Sequence, residues 1–130
     1  MKGKIIICED DKLLQNFYQI VLTKNNYEVF ISEDGDEIIS ELLKSEPKLI
    51  IMDINLGNTY FKGEKTDGLK LSRYIKENFS FSHIPILIST ASAPRDIHND
   101  FLNDSLADEL IHKPIVDFNS FLDTVNFLAS

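Results

Sequence analysis

Leu49-Ile50-Ile51-Met52-Asp53 is the stretch on which the fold turns. Four apolar residues run without polar alternation and end in a carboxylate. An amphipathic strand would alternate, and a helix would need a longer period. Continuous apolar character over a short run marks a strand covered on both faces, the condition of parallel strands between helices. Three further runs share it: Lys4–Cys8, Tyr27–Ile31 and Ile84–Ile88. A weaker fifth, Glu109–His112, is placed as a strand by its position.

Helical spacing fills the intervals. Leu13, Leu14, Phe17, Val21 and Leu22 fall on one face of a first helix. Ile38, Ile39, Leu42 and Leu43 fall on one face of a second, which Pro47 terminates. Leu71 and Ile75 mark a third, opening near Thr66-Asp67-Gly68. A fourth is expected to begin near Pro94. Phe118, Phe121, Leu122, Val125 and Leu128 define the last, capped by Asp117. Strand and helix alternate five times. The expected fold is α/β: a flavodoxin-like, doubly wound, five-stranded parallel sheet of order 2-1-3-4-5 with five helices, one domain over residues 1–130. Gly57–Thr66 interrupts the rhythm and reads as a long polar loop.

Composition narrows the function classes. Hydrophobic residues make up 43% and charged residues 26% of the 130, which is ordinary for a globular chain. No apolar run approaches the roughly 20 residues of a membrane helix, so no membrane partner is expected. The start, MKGKIIICEDD, meets three acids after a short apolar run and is no signal peptide. Cys8 is the single cysteine, which excludes an internal disulfide and suits a reducing, cytoplasmic setting. The net charge of −8 argues against nucleic acid as a partner. His83, His98 and His112 share no metal-ligand spacing.

Ligands of open α/β sheets bind beyond the carboxyl ends of the strands. There the sequence places Glu9-Asp10-Asp11, Asp53, Ser89-Thr90-Ala91 and Lys113-Pro114. Taken singly, Asp11 reads as a helix cap and the Ser-Thr and Lys-Pro pairs as turns. Asp53 is different, because an unpaired charge at the end of a buried strand is costly. Clustered carboxylates call for a cation, and oxygen donors suit Mg²⁺. A carboxylate can also attack phosphorus to form an aspartyl-phosphate, with cationic groups spreading the charge.

These motifs, with Leu49-Ile50-Ile51-Met52-Asp53-Ile54-Asn55-Leu56, Asp67-Gly68 and Pro85-Ile86-Leu87-Ile88-Ser89-Thr90-Ala91, resemble in order and spacing the receiver domains of two-component response regulators. The resemblance implies that Asp53 is the phosphoacceptor, Asp10 a direct Mg²⁺ ligand and Glu9 its partner through water. It implies that Asn55 offers its backbone carbonyl to the metal, Thr90 its hydroxyl, the Ala91 amide a donor and Lys113 its ammonium to the phosphoryl group. It also implies phosphorylation by a histidine kinase or histidine phosphotransfer protein and output through an unknown downstream protein. No external substrate is turned over on this reading, so the chain is not expected to be an enzyme. The alternatives are an Asp-nucleophile, Mg²⁺-dependent phosphatase and an unphosphorylated receiver-like binding module. The phosphatase type carries a second aspartate where this chain has Asn55.

The chain departs from the resemblance in places. Asp53 to Gly68 is several residues longer. The extra loop, with Lys62 and Lys65, reads either as a tolerated insertion or as a segment that touches a partner or screens the phosphoryl group. Leu110 stands three residues before Lys113, where an aromatic side chain usually changes rotamer. Output is therefore expected to rely on the Ser92–Leu106 segment, where Leu106 stands at a frequent glycine position.

Overall fold

The computed structural model describes residues 2–57, 59–91 and 98–130. The chain runs β1 (Gly3–Cys8), α1 (Lys12–Lys24), β2 (Tyr27–Ser32), α2 (Gly35–Lys44), β3 (Leu49–Asp53), β4 (Thr59–Phe61), β5 (Glu64–Thr66), α3 (Gly68–Glu77), β6 (Ile86–Thr90), α4 (His98–Ser105), β7 (Glu109–His112) and α5 (Phe118–Ala129). The main sheet is ordered β2-β1-β3-β6-β7, and every neighbouring pair is parallel. This is the doubly wound, flavodoxin-like arrangement, with five helices among the described residues.

Alternation along the strands divides the core. Ile6, Cys8, Ile50, Met52, Ile86 and Ile88 face α2 and α3. Ile5, Ile7, Leu49, Ile51 and Leu87 face α1 and α5. All five residues of β3 are buried, as its unbroken apolar run requires. Burying each of its four apolar side chains contributes roughly 1.5–3 kcal/mol relative to exposure, which fixes β3 at the centre of the sheet.

Side-chain carboxylates begin four helices. Asp11, Asp34, Asp67 and Asp117 cap α1, α2, α3 and α5 by accepting from backbone amides one turn in. Asp11 and Asp117 were both legible as caps from position.

Several sequence expectations are corrected. The fourth main strand spans Ile86–Thr90 rather than Ile84–Ile88, so Ser89 and Thr90 lie within it. Proline has no amide to donate, and Pro85 contributes only its carbonyl, which accepts from Ile50. Leu13, Leu43 and Phe118 are exposed, whereas Tyr18 is fully buried beside Leu22. A face drawn by hydropathy alone includes such rim positions and omits a tyrosine. The expected helix start near Pro94 lies outside the described residues; α4 is described from His98. Finally, the long polar loop is an ordered antiparallel hairpin, β4 against β5, over most of its length.

Candidate functional site

β1, β3, β6 and β7 end on the same edge, because parallel strands share a direction. Register sets the heights. Cys8 lies level with Met52, Asp53 with Ser89, and Thr90 with His112. The residues just past β1, at the end of β3 and just past β7 therefore meet over the sheet centre.

Glu9, Asp10 and Asp53 each offer a carboxylate oxygen, and these atoms lie within 4.8 Å of one another. Glu9 and Asp53 are buried. Lys113 Nζ stands 3.0 Å from Glu9 Oε1 and 3.3 Å from Asp53 Oδ2. Amides orient the other oxygens. Those of Asp10 and Asp11 donate to Glu9 Oε2, both at 3.1 Å. Asn55 N–H donates to Asp53 Oδ1 at 3.0 Å, and Gly57 N–H to Asp10 Oδ2 at 3.2 Å. Lys113 is itself anchored, its amide donating to the Thr90 carbonyl at 2.7 Å, and the Lys113-Pro114 peptide is cis.

The electrostatics follow from crowding. Burial, reinforced by the Asp53 carboxylate, pushes Glu9 up to about 7, against the opposing pull of Lys113 and the Asp11 amide. Burial alone would lower Lys113, but its pairing with Glu9 and Asp53 outweighs that and holds it above the usual lysine value. Acid repulsion is thus only partly relieved by one ammonium. Three carboxylates with hard oxygen donors fit a divalent cation such as Mg²⁺, which would relieve the remainder.

Every sequence-derived site residue in the described region falls on this edge. Glu9, Asp10 and Asp53 are in mutual reach, and Lys113 reaches Glu9 and Asp53. Asn55 contributes its amide to Asp53. Thr90 is buried one residue beyond the partner of Asp53 on β6, and Ala91 is exposed beside it. Asp11 caps α1 and accepts from Leu13 and Leu14.

Other contributors escaped the sequence. Gln15 Nε2 donates to the Glu9 carbonyl at 2.6 Å from one turn into α1, a position the Asp11 cap would have indicated. Gly57 left no signal, since its contribution is backbone. Tyr18 and Ser89 bring hydroxyls together under the site, and neither finds a partner of full hydrogen-bond geometry among the described residues. Burial raises the Tyr18 phenol, and the Glu9 charge adds to it. Cys8 is buried, and burial likewise raises its thiol.

The family model described as response regulator receiver domain matches residues 5–126. The chain belongs to this family. It is 25% identical over 125 residues to the polar-differentiation response regulator DivK of Brucella anthropi, covering 96% of this chain and 94% of that one. The signal receiver domain of a histidine kinase from Syntrophus aciditrophicus superposes with a TM-score of 0.78 at 25% identity, over 98% of this chain and 89% of the other. The chemotaxis response regulator CheY4 of Vibrio cholerae shares the fold, with a TM-score of 0.80 at 19% identity, over 97% and 98% of the two chains. Receiver domains are phosphoacceptor switches that bind Mg²⁺ at an acidic site and are served by histidine kinases or phosphotransfer proteins. The acidic pocket of this receiver domain fits that use. None of the described helices is long and apolar enough to cross a membrane.

Proposed function

We propose that residues 1–130 act as one phosphoacceptor switch, in which Asp53 takes a phosphoryl group from the phosphohistidine of a kinase or phosphotransfer protein. The observation that carries this reading is the position of Asp53: buried, at the end of the central strand, with one oxygen held by the Asn55 amide and the other facing Lys113.

In the transfer, an Asp53 carboxylate oxygen attacks phosphorus in line. The new O–P bond forms as the P–N bond to the donor imidazole breaks, and the electron pair leaves with that nitrogen. Lys113 lies within reach of the phosphoryl oxygens that would gather there, and the Thr90 hydroxyl and Ala91 amide supply donors at the adjoining strand end. Asp10, Asp53 and the Asn55 carbonyl would hold Mg²⁺, with Glu9 acting through water. The ion, when bound, neutralises charge on the phosphoryl oxygens. Later, water attacks phosphorus, the acyl O–P bond breaks and the Asp53 carboxylate is restored. The domain serves no external substrate in this scheme.

A protein donor has room to approach. A groove of about 510 Å³ opens beside Lys113 and Ala91, floored by Leu14 and Phe17. Leu13 and Phe118 line it and are exposed, which suits an apolar partner surface. Output passes to a further protein through the α4–β7 region.

Incubation with Mg²⁺ and acetyl phosphate, followed by intact mass, tests the reading. One base-labile phosphoryl adduct is expected, absent from Asp53→Asn. Sustained phosphate release would indicate a phosphatase instead. No adduct and no release would indicate an unphosphorylated binding module.

A further inference from the structure

The hairpin between β3 and α3 is built and fastened in ways that a mere spacer would not need. Its two-residue turn has positive φ at both Lys62 (54°) and Gly63 (81°), the pattern of a type I′ turn. A two-stranded ribbon this short is marginal alone, so tertiary contacts must hold it. They are specific. Thr59 is fully buried, and its hydroxyl donates to the Glu33 carbonyl at 2.6 Å. The Lys62 amide donates to Asp36 Oδ1 at 3.1 Å. Phe61 packs on Tyr74 of α3, with ring centroids 4.6 Å apart. Gly35, at the start of α2, allows backbone to touch backbone; a Cβ there would stand 2.8 Å from the Tyr60 carbonyl oxygen.

The turn that receives these contacts is itself braced. Ser32 Oγ donates to Glu37, and Asp34 caps α2. On the other side, Thr59 follows closely on the Asn55–Gly57 loop. The amides of that loop hold one oxygen each of Asp53 and Asp10. Lys62, meanwhile, lies over the Phe61 and Tyr74 rings, 5.2 and 5.5 Å from their centroids, within the hairpin's own contacts.

We propose that the hairpin is a positioning latch: by gripping the β2–α2 turn it holds the Asn55–Gly57 loop against Asp53 and Asp10 and so presets the acidic cluster for its cation. This rests on the metal-assisted phosphoacceptor reading and deepens it. Hydrogen bonds to metal-ligating carboxylates fix their orientation, and losing such a partner lowers metal affinity. The hairpin spares the loop the ordering that cation binding would otherwise have to impose.

The test replaces residues 59–66 by Gly-Gly, a short bridge because Thr59 and Thr66 stand opposite each other in the hairpin. Mg²⁺ affinity is measured by calorimetry, and the motion of the Asn55 and Gly57 amides by ¹⁵N relaxation without metal. Affinity is expected to fall about tenfold, with both amides gaining fast motion while far-UV circular dichroism keeps its shape. Gly35→Ala, which leaves every site residue in place, is expected to move both readouts in the same direction. Should the excision unfold the chain, Gly35→Ala and Thr59→Val carry the same measurements. Unchanged affinity and unchanged relaxation would overturn the latch. Failure of the parent protein to bind Mg²⁺ would instead count against the phosphoacceptor reading, and the metal-free relaxation would still report on the latch.

Discussion

Gly68 packs so tightly against Asp53 that a methyl group added there would run into the Asp53 carbonyl oxygen and carbon. The first residue of α3 and the last residue of β3 are thereby in backbone contact. The loop between them, hairpin included, must leave and return almost to the same point.

Gly68→Ala is therefore expected to destabilise the protein by about 2–3 kcal/mol, since the clash is with backbone and no side chain can swing away. Urea denaturation measures the cost. Alanine normally favours a helix over glycine, so a neutral or stabilising result would contradict the contact.

Glu9 gives the metal-free protein an inverted acid response. Its carboxyl titrates near 4.5 when unfolded and is raised to about 7 when folded. Between those values the folded state binds more protons than the unfolded state, so this group's contribution to stability falls as pH rises through the window. Urea midpoints in chelator, taken from pH 4.5 to 7.5, should show that slope, and Glu9→Gln should flatten it.

Lys113→Met removes the ammonium that Glu9 and Asp53 share. Two buried carboxylates are then left facing each other. Stability at neutral pH without metal should drop by about 3 kcal/mol, the lower end of the cost of a broken buried pair, because the Lys113 side chain keeps 10% exposure. Glu9 should titrate higher still, having lost the hydrogen bond that lowers it. Millimolar Mg²⁺ should restore part of the stability by binding the folded state. Thermal melts with and without the ion would show it.

Tyr18 and Ser89 hold hydroxyls in the core without well-formed partners among the described residues. An unsatisfied buried polar group costs about 1–3 kcal/mol, so Tyr18→Phe should be neutral or stabilising by up to about 1 kcal/mol. A loss of stability in chemical denaturation would instead reveal a bond, such as a bridging water, that the two hydroxyls share.

Leu106 closes α4 with φ of 58°, a left-handed conformation that favours glycine. Leu106→Gly should raise stability by about 0.5 kcal/mol, the relief of strain being partly offset by the freer unfolded chain. The shift in urea midpoint would register it. The same end of α4 is tied to α3, where Ser72 donates to the Ser105 carbonyl and Arg73 to the Asp104 carbonyl. The resemblance led to an expectation of switching through Ser92–Leu106. Of that segment, residues 92–97 lie outside the described structure, and the rest is fastened at its C-terminal end. Leu110 is buried, 5% exposed, where an aromatic side chain is usual.

Apolar runs and the residues that follow them were enough to assign the sheet, its order and the side chains gathered at its edge. Unbroken apolar runs can be stable only between two layers of helix, and parallel strands deliver their ends to one place. Glu9, Asp10, Asp53, Thr90 and Lys113 were legible for that reason. Tertiary structure alone decided what depends on backbone meeting backbone. The Gly57 amide on Asp10, the contact of Gly68 with Asp53 and the seat of the hairpin at Gly35 carry no side-chain signature. A polar loop shows no hydrophobic period even when it is ordered, because its order comes from turns and carbonyls rather than a buried face. Hydropathy likewise misplaced Leu13 outside its real environment and passed over Tyr18, since burial is set by what packs opposite a residue and not by the residue alone.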